Sequence, residues 1–186
     1  MHNIFIIHGS DGHPEENWFP WLKNELENLG HQVFVPALPT ENGHLLEKWF
    51  EKFDEYKEYL NEETIFFAHS RGCAFVWRLL EKLEQPIFAS FLVGGFDEYL
   101  WYPKNDHRLD SFFLKPFNWE KIKRNCHHFT FYQSDNDPYV PEKIGEGIVK
   151  KLDIEIKLIH GAGHFNTQAG YTTFPLLLED FKKLTS

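Results

Sequence analysis

Short apolar runs alternate along the chain with longer segments in which hydrophobic residues recur every three or four positions. The short runs predict six strands, at 3–7, 33–36, 65–67, 86–93, 129–133 and 154–159. The longer segments predict helices at 15–29, 45–60, the stretch after residue 70 up to 80, 141–152 and 174–184. Strands that alternate with helices form a parallel sheet covered on both faces. We therefore expect a three-layer α/β/α sandwich with a mostly parallel six-stranded sheet, formed as a single domain by residues 1–186.

The stretch from 64 to 80 joins a buried strand to a helix and places a serine at the corner between them. Two residues to either side of Ser70 stand Ala68 and Gly72. A serine held at a strained strand-to-helix turn needs such small neighbours, and A-H-S-R-G is the G-x-S-x-G nucleophile-elbow pattern with alanine in place of the first glycine. Alternatively, Ser70 would be the N-cap of an ordinary helix, a position that serine favours in any α/β protein.

Four loops that follow predicted strands carry polar residues: H-G-S-D-G, A-H-S-R-G, Q-S-D-N-D-P-Y-V-P and H-G-A-G-H-F-N. The carboxyl ends of parallel strands share one edge of the sheet, where ligands bind, so these loops should lie together. They supply a nucleophile, Ser70, then a carboxylate, Asp137 or Asp135, then a histidine, His164 or His160. Serine, acid and histidine in this chain order form the catalytic triad of α/β hydrolases, so the sequence predicts a serine hydrolase.

Local sequence favours one member of each pair. Asp137 precedes Pro138, whose fixed φ stiffens the loop, whereas Asp135 is more typical of a residue that forms an Asx turn. His164 follows the small residues 161–163, which let a loop bring a ring close to another backbone. These features favour Asp137 and His164.

Composition limits the other function classes. The formal net charge of −9 argues against nucleic acid and anionic membranes as partners, since both bind basic surfaces. Two cysteines, Cys73 and Cys126, make no disulfide framework and indicate a reducing compartment, which we expect to be the cytoplasm. The chain enters a strand at once, without a predicted signal peptide, and no apolar run is as long as a membrane span. The histidines lack metal-site spacing, so we expect no metal and no other cofactor.

The chain resembles the small serine hydrolases named after a retinoblastoma-binding protein, which include bacterial YdeN-type members. D-N-D-P-Y-V-P is similar to the acid loop of that family and G-A-G-H-F-N to its histidine loop, and the resemblance covers nearly the whole chain. It implies a trimmed α/β-hydrolase fold that lacks the first two strands of the larger sheet, and a triad of Ser70, Asp137 and His164. The chain departs from the family pattern at Ala68, which is usually glycine, and at Arg71, which is usually small or apolar.

An oxyanion hole needs backbone N–H donors beside the nucleophile. In this architecture the residue after the nucleophile supplies one donor, here Arg71. The loop after the first strand supplies the second, for which Ser10 is the first choice and Asp11 the second, because Gly9 lets that loop turn tightly. The Arg71 side chain would either bind an acidic group of the substrate or pair with a neighbouring carboxylate, as arginines at helix starts more often do.

Aromatic residues are dense between 96 and 119. A long insertion after a sheet strand can form a lid or a pocket wall over an active site. In that case Phe96, Trp101 and Phe113 would line an apolar substrate pocket, to which Asp11 would also belong. The alternative is that these rings only pack against the core.

We therefore expect a carboxylesterase-like enzyme that cleaves the ester bond, or an amide bond, of a small molecule through an acyl-enzyme intermediate. An acyltransferase would use the same residues. The alternative from another class is a protein-interaction module on a hydrolase scaffold, with little or no catalysis. The L-x-C-x-E string of retinoblastoma-pocket ligands is absent from the sequence.

Overall fold

The computed structural model describes residues 1–40, 44–100 and 110–186. Its strands are β1 (Asn3–Ile7), β2 (Gln32–Phe34), β3 (Ile65–His69), β4 (Ile87–Val93), β5 (Cys126–Ser134) and β6 (Ile156–Ile159). Its α-helices are α1 (Phe19–Asn28), α2 (Leu46–Phe53), α3 (Arg71–Leu80), α4 (Trp119–Arg124), α5 (Glu142–Leu152) and α6 (Pro175–Thr185), with 3₁₀ helices at Asp54–Tyr59 and Thr167–Ala169. No helix within these ranges is both long and apolar enough to cross a bilayer.

The strands form one sheet in the order β2-β1-β3-β4-β5-β6, and each neighbouring pair is parallel. The expected parallel six-stranded sheet is therefore confirmed. The chain adds β2 on one side of β1 and every later strand on the other side, so the direction of winding reverses between β1 and β3. The carboxyl ends of β1 and β3 border the crevice in which such sheets bind ligands.

Alternate strand residues face opposite sides of the sheet and pack against different helices. Phe5 and Ile7 of β1, with Phe66 of β3, belong to the core that the sheet shares with α2, α3, α4 and α5. Ile4 and Ile6 of β1 belong to the core that it shares with α1 and α6. Helices thus cover both faces, which gives the three layers expected from the alternation of the sequence.

Elements β3 and α3 are buried along their whole length. Every residue of β3 is buried, and so is every residue of α3, including Arg71 and Arg78. Strand β3 is paired on both edges and covered on both faces, which explains why it has an unbroken apolar sequence instead of an alternating one. The corner between these two elements is therefore enclosed by the core.

The structure corrects two predicted helices. The helix expected at 15–29 begins only at Phe19, because Asn17 has a positive φ of 52°, which a helix does not accommodate, and Pro20 then fits the first turn. The segment expected as one helix at 45–60 is α-helical only to Phe53 and continues as a 3₁₀ helix in which no residue is buried. Tertiary packing gives most helices their stability, and this tail supplies only the partly buried rings of Tyr56 and Tyr59 to the core.

The structure also contains a helix that the periodicity did not predict. Helix α4 starts at the end of the aromatic-dense segment, where the Asn118 side chain accepts a hydrogen bond of 3.0 Å from the backbone N–H of Lys121. An asparagine cap of this kind satisfies one free donor of the first turn. With six residues and one buried side chain, Ile122, the helix is too short to show a hydrophobic period.

Strand boundaries differ from the prediction in five of the six strands: β3 ends at His69 where 67 was expected, and β4 begins at Ile87 where 86 was expected. Strand β2 is Gln32–Phe34 where 33–36 was expected, β6 begins at Ile156 where 154 was expected, and β5 begins at Cys126 where 129 was expected. His128, which lies outside the predicted strand, is exposed but pairs with Ala89 of β4. Backbone pairing extends the ladder through polar residues that an apolar run does not mark.

Candidate active site

Ser70 occupies a strained corner between β3 and α3. Its φ of 54° and ψ of −123° place it in a region that side chains rarely adopt. The corner is fixed by its own backbone: the Ser70 N–H donates to the carbonyl of Val93 (2.8 Å), and the Ser70 carbonyl accepts from the N–H of Cys73 (3.0 Å). The sequence predicted this conformation from the pattern of small residues.

Those small residues are needed because the corner presses against the end of β1. A Cβ added at Gly72 would lie 2.6 Å from the carbonyl oxygen of Ile7 and 2.7 Å from that of His8. A Cβ added at Gly9 would lie 2.8 Å from the Cβ of Ser70. The loop after β1 and the serine corner are therefore in direct backbone contact.

Both aspartate–histidine pairs that the sequence left open are formed. His164 Nδ1 lies 2.7 Å from Asp137 Oδ2, and His160 Nδ1 lies 2.7 Å from Asp135 Oδ2. In the first pair the carboxylate side chain is fully buried and the histidine side chain is 9% exposed. In the second the histidine side chain is 82% exposed. Only burial and position separate the two pairs, since their hydrogen-bond lengths are equal.

The buried pair is built to hold one histidine tautomer. The second oxygen of Asp137, Oδ1, accepts the backbone N–H groups of Tyr139 (2.8 Å) and Val140 (3.0 Å), so the carboxylate cannot rotate freely. Since the carboxylate only accepts, His164 Nδ1 is the donor, and in the neutral form of the ring the lone pair is then on Nε2. Contrary to the local sequence argument, Asp137 makes these turn contacts itself.

The exposed pair, Asp135 and His160, holds the start of the loop after β6. Asp135 Oδ1 accepts the N–H of Gly161 (2.9 Å), and this bond together with His160 lowers the pKa of Asp135. Asp135 in turn raises the pKa of His160. The two residues link the loops after β5 and β6 at the surface.

His69, to which the sequence analysis gave no role, contacts the backbone and the ring of His164. Its Nε2 lies 2.8 Å from the backbone carbonyl oxygen of His164, and the two rings are 4.8 Å apart. Burial, aided by the proximity of His164, lowers the pKa of His69 to about 3, so the ring is neutral and Nε2 is its donor. On another side, a Cβ at Gly94 would lie 3.4 Å from the His164 ring. The sequence did contain a signal for this role, because His69 is a polar residue at the end of an apolar run and directly before Ser70.

His8 holds the loop after β1 in place through both nitrogens of its ring. Its Nδ1 donates to the carbonyl of Gly9 (2.9 Å), and its Nε2 accepts the N–H of Leu38 (3.1 Å). Burial lowers the pKa of His8, which favours this neutral form.

Ser70 and His164 open into one cavity of about 550 Å³. Phe96, Ser10 and Asp11, which the sequence placed near the site, also line it. Phe113 stands behind this wall, with its ring 5.3 Å from that of Phe96. Trp101 lies outside the described residues.

The cavity carries acidic groups at its edge. Asp11 Oδ1 lies 3.1 Å from His44 Nε2. Glu16 contributes a second carboxyl group to the lining, and burial raises the pKa of this group. Burial, followed by the Arg71 charge, lowers the pKa of His44. No group of three or more His, Cys, Asp or Glu suited to a metal ion occurs in the described ranges.

The Arg71 side chain pairs with a carboxylate, which was one of the two expectations for it. It forms an ion pair with Asp110, and its Nε donates to Ser10 Oγ at 2.8 Å. The Arg71 side chain is 5% exposed although it belongs to a cavity-lining residue.

The profile of a family described as serine hydrolases matches residues 4–183. The chain belongs to this serine hydrolase family. YdeN of Bacillus subtilis (strain 168) is 30% identical over 178 residues, which cover 95% of this chain and 92% of that protein. Serine hydrolase RBBP9 of Rattus norvegicus is 29% identical over 153 residues, which cover 81% and 80% of the two chains. The family expected from the acid and histidine motifs is confirmed.

Solved structures agree with this assignment. The crystal structure of the ydeN product from B. subtilis superimposes with a TM-score of 0.91 at 29% identity and covers 100% of this chain and 99% of that one. Est1E from Butyrivibrio proteoclasticus, solved with ferulic acid, has a TM-score of 0.72 at 16% identity, covers 98% and 90%, and shows a shared fold. These structures show the α/β-hydrolase architecture, and membership of the serine hydrolase family gives the chain a hydrolase function.

Proposed function

We propose that this serine hydrolase cleaves carboxylic esters through a triad of Ser70, His164 and Asp137. One observation carries the proposal: His164, held by the buried Asp137 at 2.7 Å between Nδ1 and Oδ2, lines the same cavity as the strained Ser70. The exposed pair of Asp135 and His160 does not line that cavity. Buried acid, oriented histidine and elbow serine in this order match the roles that acyl transfer needs.

The reaction would proceed in two halves. Ser70 Oγ attacks the acyl carbonyl while His164 Nε2 takes the hydroxyl proton, and Asp137 stabilises the imidazolium through Nδ1. The tetrahedral intermediate expels the alcohol, which receives that proton from His164, and leaves an acyl group on Ser70. Water then attacks the ester with His164 as general base, and the acid is released from the regenerated serine.

The oxyanion would be bound by two backbone donors. Arg71 is the first residue of α3, so its N–H has no partner within the helix. It lies at the N-terminus, the positive end of the helix dipole. The second donor would be the N–H of Ser10. Asp11, the other candidate of that loop, has a φ of 52°, and its side chain pairs with His44 instead.

The cavity suits a small or medium acyl group. Its volume of about 550 Å³ falls within the range of small-molecule sites. Phe96 and Leu100 give it an apolar wall, which supports the proposal that the described start of the 96–119 segment borders the substrate of a single-domain enzyme. Both cysteines are free thiols, which favours a reducing compartment such as the cytoplasm.

The test is active-site labelling with a fluorophosphonate probe, followed by turnover of p-nitrophenyl acetate, butyrate and octanoate. Wild type should label, whereas Ser70→Ala and His164→Ala should not, and turnover should fall by about 10⁶ in each variant. His160→Ala is the matched control, because it removes the histidine of the exposed pair and should label like wild type.

Circular dichroism would show that each variant is folded. A folded wild type that neither labels nor turns over any ester would refute the proposal and favour a protein-interaction role on this scaffold. Labelling that His160→Ala abolishes and His164→Ala preserves would show that the wrong pair had been chosen.

A further inference from the structure

The side chain of Arg71 reaches back to the loop from which the second oxyanion donor would come. Arg71 is the first residue of α3, and its Nε donates to Ser10 Oγ over 2.8 Å. Ser10 belongs to the turn that the N–H of Gly12 closes on the carbonyl of Gly9 (3.3 Å), and it is exposed. Gly9 is held against the elbow, but an exposed turn residue such as Ser10 is freer to move than the buried elbow unless its side chain is anchored.

The other end of the guanidinium is held firmly. Its Nη1 pairs with Asp110, whose side chain is 12% exposed and whose Oδ1 also accepts the N–H of Phe112 (3.2 Å). Three phenyl rings surround the guanidinium carbon, with centroids at 5.3 to 5.8 Å: Phe96, Phe112 and Phe113. A planar guanidinium suits such a site, since it stacks on rings and donates hydrogen bonds in a fixed fork.

We propose that the Arg71 side chain is a positioning residue that fixes the Ser10 loop relative to the nucleophile corner and so sets the spacing of the two oxyanion donors. The inference rests on the proposed hydrolase function. Arg71 would thereby act twice, by giving its own N–H and by holding the residue that gives the other. Donors stabilise a developing oxyanion only when each lies about 3 Å from it, so a loose loop would weaken the transition state more than the bound substrate.

Direct recognition of an acidic substrate group is the competing role for this side chain. Asp110 already balances the Arg71 charge, and Nε is engaged by Ser10. An anionic substrate would meet a guanidinium whose charge is already balanced and whose side chain is only 5% exposed, so it would gain little from charge attraction. The geometry thus favours anchoring over recognition.

The decisive variant is Ser10→Ala, which keeps the backbone N–H and removes only the anchoring hydroxyl. Because the donor would be displaced and not lost, kcat on p-nitrophenyl butyrate should fall about tenfold, with KM changed less than about twofold. Arg71→Met should lower kcat to a similar degree. The double variant should be no worse than the poorer single variant, since both remove the same contact.

A transition-state analogue gives a readout that general damage to the fold would not move. A trifluoromethyl ketone forms the oxyanion and should bind the variants about tenfold more weakly, whereas butyrate, a ground-state product, should bind with unchanged affinity. Ser10→Thr, which keeps the hydroxyl, should retain more activity than Ser10→Ala. If Arg71→Met does not fold, the Ser10 variants and the inhibitor affinities still decide the question.

Three results would overturn the inference. A kcat for Ser10→Ala equal to that of wild type would show that the contact does not position the donor. So would a loss of kcat in the double variant equal to the product of the two single losses. A loss at Arg71 confined to the KM of esters with a carboxylate in the acyl group would show direct recognition. Fluorophosphonate labelling of wild type separates these failures from failure of the function itself, because the latter abolishes labelling in every form of the protein.

Discussion

The strain at Ser70 predicts that an inactive variant with glycine at this position is more stable than one with alanine. Both substitutions remove Oγ, so they differ only in how well the backbone tolerates φ 54° and ψ −123°. Side chains in such regions cost about 1–3 kcal/mol, whereas glycine adopts the mirror image of the β region freely. Glycine also loses more freedom on folding, by about 0.5–1 kcal/mol.

The balance favours Ser70→Gly over Ser70→Ala by about 1 kcal/mol in the free energy of unfolding. In a chain of 186 residues this corresponds to a Tm about 2–4 °C higher. Urea unfolding followed by tryptophan fluorescence, together with calorimetry, would measure both quantities.

A matched exchange within the same helix supplies the control. Ala74 lies inside α3, so Ala74→Gly should destabilise the protein by about 1 kcal/mol or more, the opposite sign. If Ser70→Gly were less stable than Ser70→Ala by a similar amount, the corner would not be strained and the elbow interpretation would fail.

Three further predictions address the acid, the corner packing and the buried histidine. Asp137→Asn should lower kcat by about 10⁴ because the histidine tautomer is lost, while Asp135→Asn should leave ester turnover near wild type; equal losses would contradict the assignment. Gly72→Ala, whose Cβ would meet the Ile7 carbonyl at 2.6 Å, should reduce the free energy of unfolding in urea by about 1–3 kcal/mol, and an unchanged midpoint would disprove the close contact. In the unfolded chain His69 gains a proton as the pH falls below 6.5, whereas in the folded protein its pKa is about 3. The free energy of unfolding should therefore fall by about 1.4 kcal/mol per pH unit below pH 6.5, and His69→Gln should reduce this slope.

The sequence predicted the elements that carry the serine because their patterns are local. An unbroken apolar run marked β3, helical spacing marked α3, and the small residues at 68 and 72 marked the corner. Each of these signals lies within a few positions of Ser70 in the sequence, so it can be recognised without knowledge of the distant carbonyls of Ile7 and His8 against which Gly72 fits.

The sequence favoured Asp137 and His164, but only the folded chain shows how the two aspartate–histidine pairs differ. Asp135 and His160 also form a hydrogen bond, as short as that of Asp137 and His164. The pair of Asp137 and His164 differs by being buried beside the serine corner, and this burial depends on how the loops after β5 and β6 pack.

Long-range partners were also beyond the sequence. The ion pair between Arg71 and Asp110 joins residues 39 positions apart, so a pairing could be expected but its partner could not be named. His69 was overlooked because its role is to contact a backbone carbonyl 95 positions away. Helix α4 was missed because aromatic residues obscured any period in a helix of six residues.

Parallel pairing throughout the sheet has a consequence for how the chain folds. No two of these strands can meet through a tight turn, since each parallel pair requires a crossover connection that spans the sheet. The apolar strand β3 is flanked by β1 and β4, so it stays unprotected until long loops on both sides have closed. We expect slow refolding and a concentration-dependent loss of yield to aggregation, because the segment that ends up most enclosed is the one exposed longest.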